Sequence, residues 1–180
     1  RLLFKDMNEL FGRDSYSLLD RPEILQFVFY PRREWTPVPS GASDFFVQVA
    51  EGVRISCRFY PVGKKSPNIL FFHGNGEIAC DYDGIAPLYN EMNIGLCVAD
   101  YRGYGRSDGI PTFSDMIADA HHIFEFFRSI LSELGNTGPL IIMGRSLGAH
   151  SALELALNYS KEVKGLIVES GAARMANSER

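Results

Sequence analysis

The run Leu140-Ile141-Ile142-Met143-Gly144-Arg145-Ser146-Leu147-Gly148-Ala149-His150 decides how this chain is read. Four apolar residues come first, then a serine between two glycines, then a helix-forming run that continues through Leu157. Strand, tight turn and helix in that order make the pattern called a nucleophile elbow. The turn holds its serine in a strained backbone conformation. It leaves no room for side chains two residues to either side, and glycine supplies that room. Ser146 would then stand at the C-terminal edge of a sheet, on a helix N-terminus. Free N–H groups and the helix dipole favour developing negative charge there.

The same alternation extends to either side of the elbow. Phe45 to Val49 and Val53 to Tyr60 read as a hairpin turning at Glu51-Gly52. Ile69–Phe72, Gly95–Ala99, Leu140–Met143 and Gly165–Val168 are short apolar runs bounded by turn residues, the signature of buried parallel strands. Met116, Ile117, Ala120, Ile123, Phe124, Phe127, Ile130, Leu131 and Leu134 recur at helical steps. Thr112 and Asp115 form a capping start, and Gly135 a stop. Strands alternating with helices predict an α/β fold, with a mostly parallel central sheet and helices on both faces. Residues 1–40 read as a helical extension and linker, and 41–180 as the core. Asp20-Arg21-Pro22-Glu23 looks like a helix start with Ile24, Leu25, Phe27 and Val28 as its apolar side, and Trp35 to Gly41 is extended.

In such sheets the functional site lies beyond the C-terminal strand ends. Three loops fall there, at 73–77, 100–109 and 144–148. His73-Gly74-Asn75-Gly76-Glu77 is a glycine-rich turn that can aim backbone N–H groups into a site. Acyl transfer needs two such donors for the oxyanion of its tetrahedral intermediate, and losing one costs about 3–4 kcal/mol of transition-state stabilisation. The elbow offers the N–H of Leu147, and the glycine-rich turn that of Asn75. His73, Gly74, Gly144 and Gly148 support the two turns. Asp100 to Gly109 holds two close glycines but lacks the third glycine and the following helix of a dinucleotide fingerprint.

Taken together, His-Gly-Asn-Gly at 73–76, Asp-Tyr-Arg-Gly-Tyr-Gly-Arg-Ser at 100–107 and Gly-Arg-Ser-Leu-Gly at 144–148 resemble the α/β-hydrolase superfamily. Within it the chain resembles the serine-hydrolase branch, with its monoacylglycerol-lipase-like and serine-aminopeptidase-like members. The resemblance covers roughly residues 43–172. It implies the α/β-hydrolase fold, with the second strand antiparallel. A serine at the elbow implies an acyl-enzyme route on an ester, thioester or amide. A small-molecule carboxylic ester or thioester is the expected substrate, with no cofactor and no metal. A non-catalytic module of the same fold, and acyl transfer to an acceptor other than water, are the competing readings.

The chain departs from the family after the elbow. The order there is serine, acid, histidine, yet the one histidine after Ser146 is His150, one helical turn further along. His121 and His122 are neighbours on the long helix and read as flank residues, and His73 as a stabiliser of its own turn. Glu169, at the end of the last strand, is an alternative acid. The expectation is that the final strands of the fold, with the acid and the histidine, lie beyond residue 180, and that residues 1–180 alone are nearly inactive. Loss of a triad member costs about four to six orders of magnitude in rate.

Bulk properties narrow the remaining classes. The 180 residues are 46% hydrophobic and 22% charged with a net charge of −4, which gives no basic face for nucleic acid. Arg32-Arg33 reads as a solvated pair. Cys57, Cys80 and Cys97 are odd in number and widely spaced, which excludes a metal-type pattern and fits a reducing, cytoplasmic setting. No run reaches the ~18 apolar residues of a membrane span, and nothing in the sequence fixes an oligomeric state.

Overall fold

A computed structural model describes residue 16 and residues 18–170. A six-stranded sheet runs through it in the order β1-β2-β4-β3-β5-β6. The strands are β1 (Ser43–Ala50), β2 (Val53–Tyr60), β3 (Asn68–Phe72), β4 (Gly95–Ala99), β5 (Leu140–Arg145) and β6 (Val163–Glu169). β2 is antiparallel to β1 and β4, and the other pairings are parallel. This is the α/β arrangement that the strand and helix pattern predicts, with the antiparallel second strand that the resemblance to α/β-hydrolases implies.

The helices are α1 (Pro22–Val28), α2 (Ala86–Glu91), α3 (Phe113–Glu133) and α4 (Ala149–Asn158). Helices α1, α3 and α4 fall where the apolar spacing predicts them, and α2 is an addition. Alternate residues of β3 divide between the two faces of the sheet, as the pleat requires. Leu70 and Phe72 join the larger core with Ala120, Phe124 and Phe127 of α3 and Ala152 and Leu155 of α4. Ile69 and Phe71 join the smaller core with Tyr82 and with Ala86 of α2. β6 ends the sheet with Leu166, Ile167 and Val168 each about 40% exposed.

Thr112 caps α3 by accepting from the Asp115 N–H at 3.0 Å, and Gly135 follows its end at φ +64°. Asp20 departs from the expectation that it begins α1, because Arg21 is the residue preceding that helix. Its Oδ1 instead accepts from the N–H groups of Phe113 and Ser114, at 2.7 and 3.3 Å. Two free donors of the 21-residue α3 are a better anchor for the carboxylate than the short α1. On α1 itself, Leu25 and Val28 pack inward while Phe27 is 82% exposed.

The segment after α1 is extended, as its prolines suggest, and is tied to the body along its length. Phe29 is buried edge-on against Phe113. Arg32 binds Gly76 O and the Asp81 carboxylate, and its own carbonyl accepts from Gly105 N–H. Arg33 reaches the carbonyls of Ser107 and Gly109. The Arg32-Arg33 pair is therefore engaged with loop carbonyls and a carboxylate, where the sequence reads as a solvated surface pair. Thr36 and Asp83 meet the buried guanidinium of Arg58.

Candidate active site

Strand register brings the three loops to one sheet edge. Phe72 pairs with Ala99 on one side and Gly144 on the other, and Gly144 pairs with Val168. The next residues, His73, Asp100 and Arg145-Ser146, therefore leave the sheet side by side, and Glu169 sits opposite Arg145.

Ser146 is exposed and has φ +50°, a left-handed conformation that a side chain adopts only under strain. Glycine is obligatory on both sides of it. A Cβ on Gly144 would collide with Gly148 O and come within 2.7 Å of Ala149 Cα. One on Gly148 would collide with Phe72 O and come within 2.6 Å of Phe72 C. The elbow is thus wedged against the end of β3. Ser146–Gly148 form a 3-10 turn that runs directly into α4.

The glycine-rich turn lies beside it. His73 is fully buried, with Nδ1 2.8 Å from Gly74 O and Nε2 3.2 Å from Asp100 Oδ1. Asp100 is itself held by the Ala79 N–H and the Ser56 hydroxyl. Tyr101 donates to His73 O at 2.5 Å and stacks edge-on against the imidazole. His73 therefore acts as a keystone of the turn and takes no position facing Ser146. The side chain of Asn75 is engaged with the end of α1, the segment after it and Tyr104. Its Oδ1 accepts from Tyr30 N–H at 2.8 Å and Tyr104 OH at 2.7 Å, and its Nδ2 donates to Val28 O. Burial raises the Tyr104 phenol to about 12, although the backbone N–H groups of Tyr30 and Gly76 oppose this, so it stays protonated as the donor. Tyr101 and Tyr104 are buried and pack the loop. Among the described residues, the backbone N–H groups of Asn75 and Leu147 donate to no protein acceptor.

Glu77 and Arg145 have a role that sequence reading missed. Glu77 Oε2 accepts from Gly74 N–H at 2.7 Å and Tyr82 OH at 2.8 Å, and its Oε1 accepts from Arg145 Nη1 at 2.6 Å. Gly74 makes room for that carboxylate, which lies 3.0 Å from where a Cβ would stand. An acid four residues after a strand-end histidine, together with an arginine before the elbow serine, was the available signal.

Glu169 Oε1 lies 3.7 Å from Arg145 Nε on the exposed end of β6. His150 packs edge-on between Tyr16 and Phe113, and burial lowers its pKa. His121 joins Tyr159 OH and Glu154, both at 3.0 Å, and His122 is exposed on α3. None of the four histidines is hydrogen bonded to Ser146. The described residues hold no cluster of three or more metal-binding side chains and no helix long and apolar enough to cross a membrane. The three cysteines are free thiols.

Comparison with known proteins agrees with this architecture. The chain is 30% identical over 130 residues to the α/β-hydrolase domain-containing protein WAV2 of Arabidopsis thaliana, covering 71% of this chain and 42% of that protein. A CIB-like hydrolase from Thermoplasma acidophilum superposes with a TM-score of 0.55 at 26% identity, over 72% of this chain and 63% of the other. A monoglyceride lipase from Saccharomyces cerevisiae, solved with a substrate analogue, superposes at 0.62 and 22% identity, over 80% and 48%. The chain spans about half the length or less of the curated relatives it matches. The family model described as serine aminopeptidase, S33, matches residues 63–179, and the chain belongs to that family of α/β-hydrolases.

Proposed function

We propose that this chain carries the nucleophile and the oxyanion site of a serine hydrolase that cleaves a carboxylic ester or thioester through an acyl-serine intermediate. The observation that carries the reading is the exposed Ser146 at φ +50°, wedged between two obligatory glycines at the edge where the 73–77 turn also emerges. A backbone strained at this position is retained where it serves chemistry.

In this reading Ser146 Oγ attacks the acyl carbon and its proton passes to a base. The carbonyl oxygen takes the negative charge and receives hydrogen bonds from the Asn75 and Leu147 N–H groups. Collapse of the intermediate expels the alcohol or thiol, which leaves with the proton. Water then attacks the acyl-serine and releases the acid. His73, Gly74, Gly144 and Gly148 hold the two turns in register. The similarity to a monoglyceride lipase supports an ester substrate.

We place the base and its acid partner outside residues 1–180. The four histidines are buried under Asp100, bonded to Glu154 and Tyr159, exposed on α3, or packed against Tyr16 and Phe113, and this supports the placement. Glu169, occupied with Arg145, is the weaker candidate for the acid. We also divide the chain into an extension, 1–40, and a hydrolase core, 41–180, with residues 28–36 serving the core.

Fluorophosphonate labelling with intact-mass analysis tests the reading on the intact protein and its Ser146→Ala variant. A single adduct that maps to Ser146 and vanishes in the variant is expected. Absence of an adduct on the intact protein moves the assignment to a non-catalytic module of this fold. Addition of a competing alcohol separates hydrolysis from acyl transfer by product.

A further inference from the structure

We infer that Glu77 is a positioning residue that fixes the distance between the two halves of the oxyanion site, bridging the turn after β3 to the elbow after β5. The inference rests on the reading of Asn75 and Leu147 as the oxyanion donors.

The two donors lie 72 residues apart in sequence; the pairing of β3 with β5 brings their loops to adjacent strand ends, and beyond it two contacts join the loops. One connection is steric, Gly148 against Phe72. The other is polar and runs through a single carboxylate. Glu77 Oε2 takes the N–H of Gly74, the residue before one proposed donor. Glu77 Oε1 takes the guanidinium of Arg145, two residues before the other. Tyr82 donates to the same Oε2 at 2.8 Å and fixes the rotamer of the side chain. Burial and the hydrogen bond to Glu77 both raise the Tyr82 phenol, so it remains a donor. Each oxygen of Glu77 thus serves one half of the site, and the Gly74 bond anchors the peptide before the one that presents the Asn75 N–H, whose carbonyl, Gly74 O, is taken by the Glu77 N–H and His73 Nδ1.

A hydrogen bond to a charged carboxylate is short and about twice as strong as a neutral one. The Glu77 side chain is only 24% exposed, which limits screening. Oxyanion donors act by being already in place, and a misplacement of about 1 Å can lower the rate about 100-fold. Glu77 touches no reacting atom in this scheme, so its removal slows the chemical step and spares binding.

The test is saturation kinetics of fluorophosphonate labelling on the intact protein, which separates the limiting rate of phosphonylation from the half-saturating concentration. Glu77→Ala is expected to lower the limiting rate about 30- to 100-fold with little change in half-saturation. Glu77→Gln keeps an acceptor for Gly74 but turns an amide toward Arg145, and is expected to lose roughly 10-fold. Should Glu77→Ala fail to fold by circular dichroism, Arg145→Ala replaces it, with a rate about 5- to 20-fold below wild type expected from cutting the bridge at the elbow. A folded Glu77→Ala or Arg145→Ala protein that labels at the wild-type rate overturns the inference alone. A wild-type protein that takes no adduct at Ser146 overturns the hydrolase reading and this inference together.

Discussion

Gly148 lies so close to the end of β3 that a Cβ on it would come within 2.6 Å of the carbonyl carbon of Phe72. The opposing atoms are backbone, in a strand paired on both sides, and cannot turn away. Gly148→Ala is therefore expected to lower stability by about 3 kcal/mol or more, at the upper end for overpacking. Urea unfolding followed by circular dichroism measures it. Gly144→Ala, which meets the backbone of α4, is expected to behave alike.

Ser146 is held in a conformation that costs a non-glycine residue about 1–2 kcal/mol. Ser146→Gly relieves that strain and deletes the hydroxyl. The variant is expected to be more stable than wild type by about 1 kcal/mol, after allowing for the greater flexibility of glycine in the unfolded chain, and to take no fluorophosphonate. Chemical unfolding and mass analysis of one sample test both halves. A less stable Ser146→Gly protein would mean that the left-handed backbone at Ser146 carries no strain.

Arg58 is 2% exposed and carries two carboxylates, Asp44 at 2.7 and 3.0 Å and Asp83 at 3.0 Å. Arg58→Ala leaves Asp83 without a cation and Asp44 with only Arg106, 3.9 Å away, and is expected to cost about 3 kcal/mol in unfolding free energy. Burial alone would raise the Asp83 carboxyl, but hydrogen bonds from Tyr60, Thr36 and Arg58 and the Arg58 charge hold it below its usual value of 3.8. Its contribution is thus complete above pH 3.8 and is lost as the pH falls through the lower folded value. Asp83→Asn should flatten the stability profile in that acidic window.

His150 gives a second window. Burial lowers its pKa from 6.5, so the fold favours the neutral ring. The unfolded chain binds the proton more readily, and stability falls as the pH drops below 6.5 toward the folded value. His150→Phe, which keeps a ring between Tyr16 and Phe113, is expected to abolish this part of the slope. Unfolding midpoints between pH 5 and 7.5 check it.

The parts of the fold that were legible in the sequence are those specified by neighbours along the chain. Ile69–Phe72 and Leu140–Met143 declare buried strands through unbroken apolar runs, and α3 declares itself through Thr112, Gly135 and a helical stripe. What escaped reading depends on distant partners. α2 is six residues long with Leu88 exposed, so it has no stripe to detect. Arg58 occupies an ordinary strand position, and only Asp44 and Asp83, from two other segments, explain its burial. At the site, Ser146 and its glycines were visible because the elbow is local. The Glu77–Arg145 bridge spans 68 residues and was not.

The strap at residues 28–36 has a consequence for how the chain is made. Tyr30 finds Asn75 45 residues later and Tyr104 74 residues later, and Asp20 meets Phe113 93 residues on. During vectorial synthesis this segment leaves the ribosome long before anything exists for it to hold, with Phe29, buried in the folded protein, still uncovered. Contacts of such separation form late, after the intervening loops have closed. This strap, translated before the loops it holds, is thus among the last parts to lock, and the 73–77 turn gains its final bracing only then.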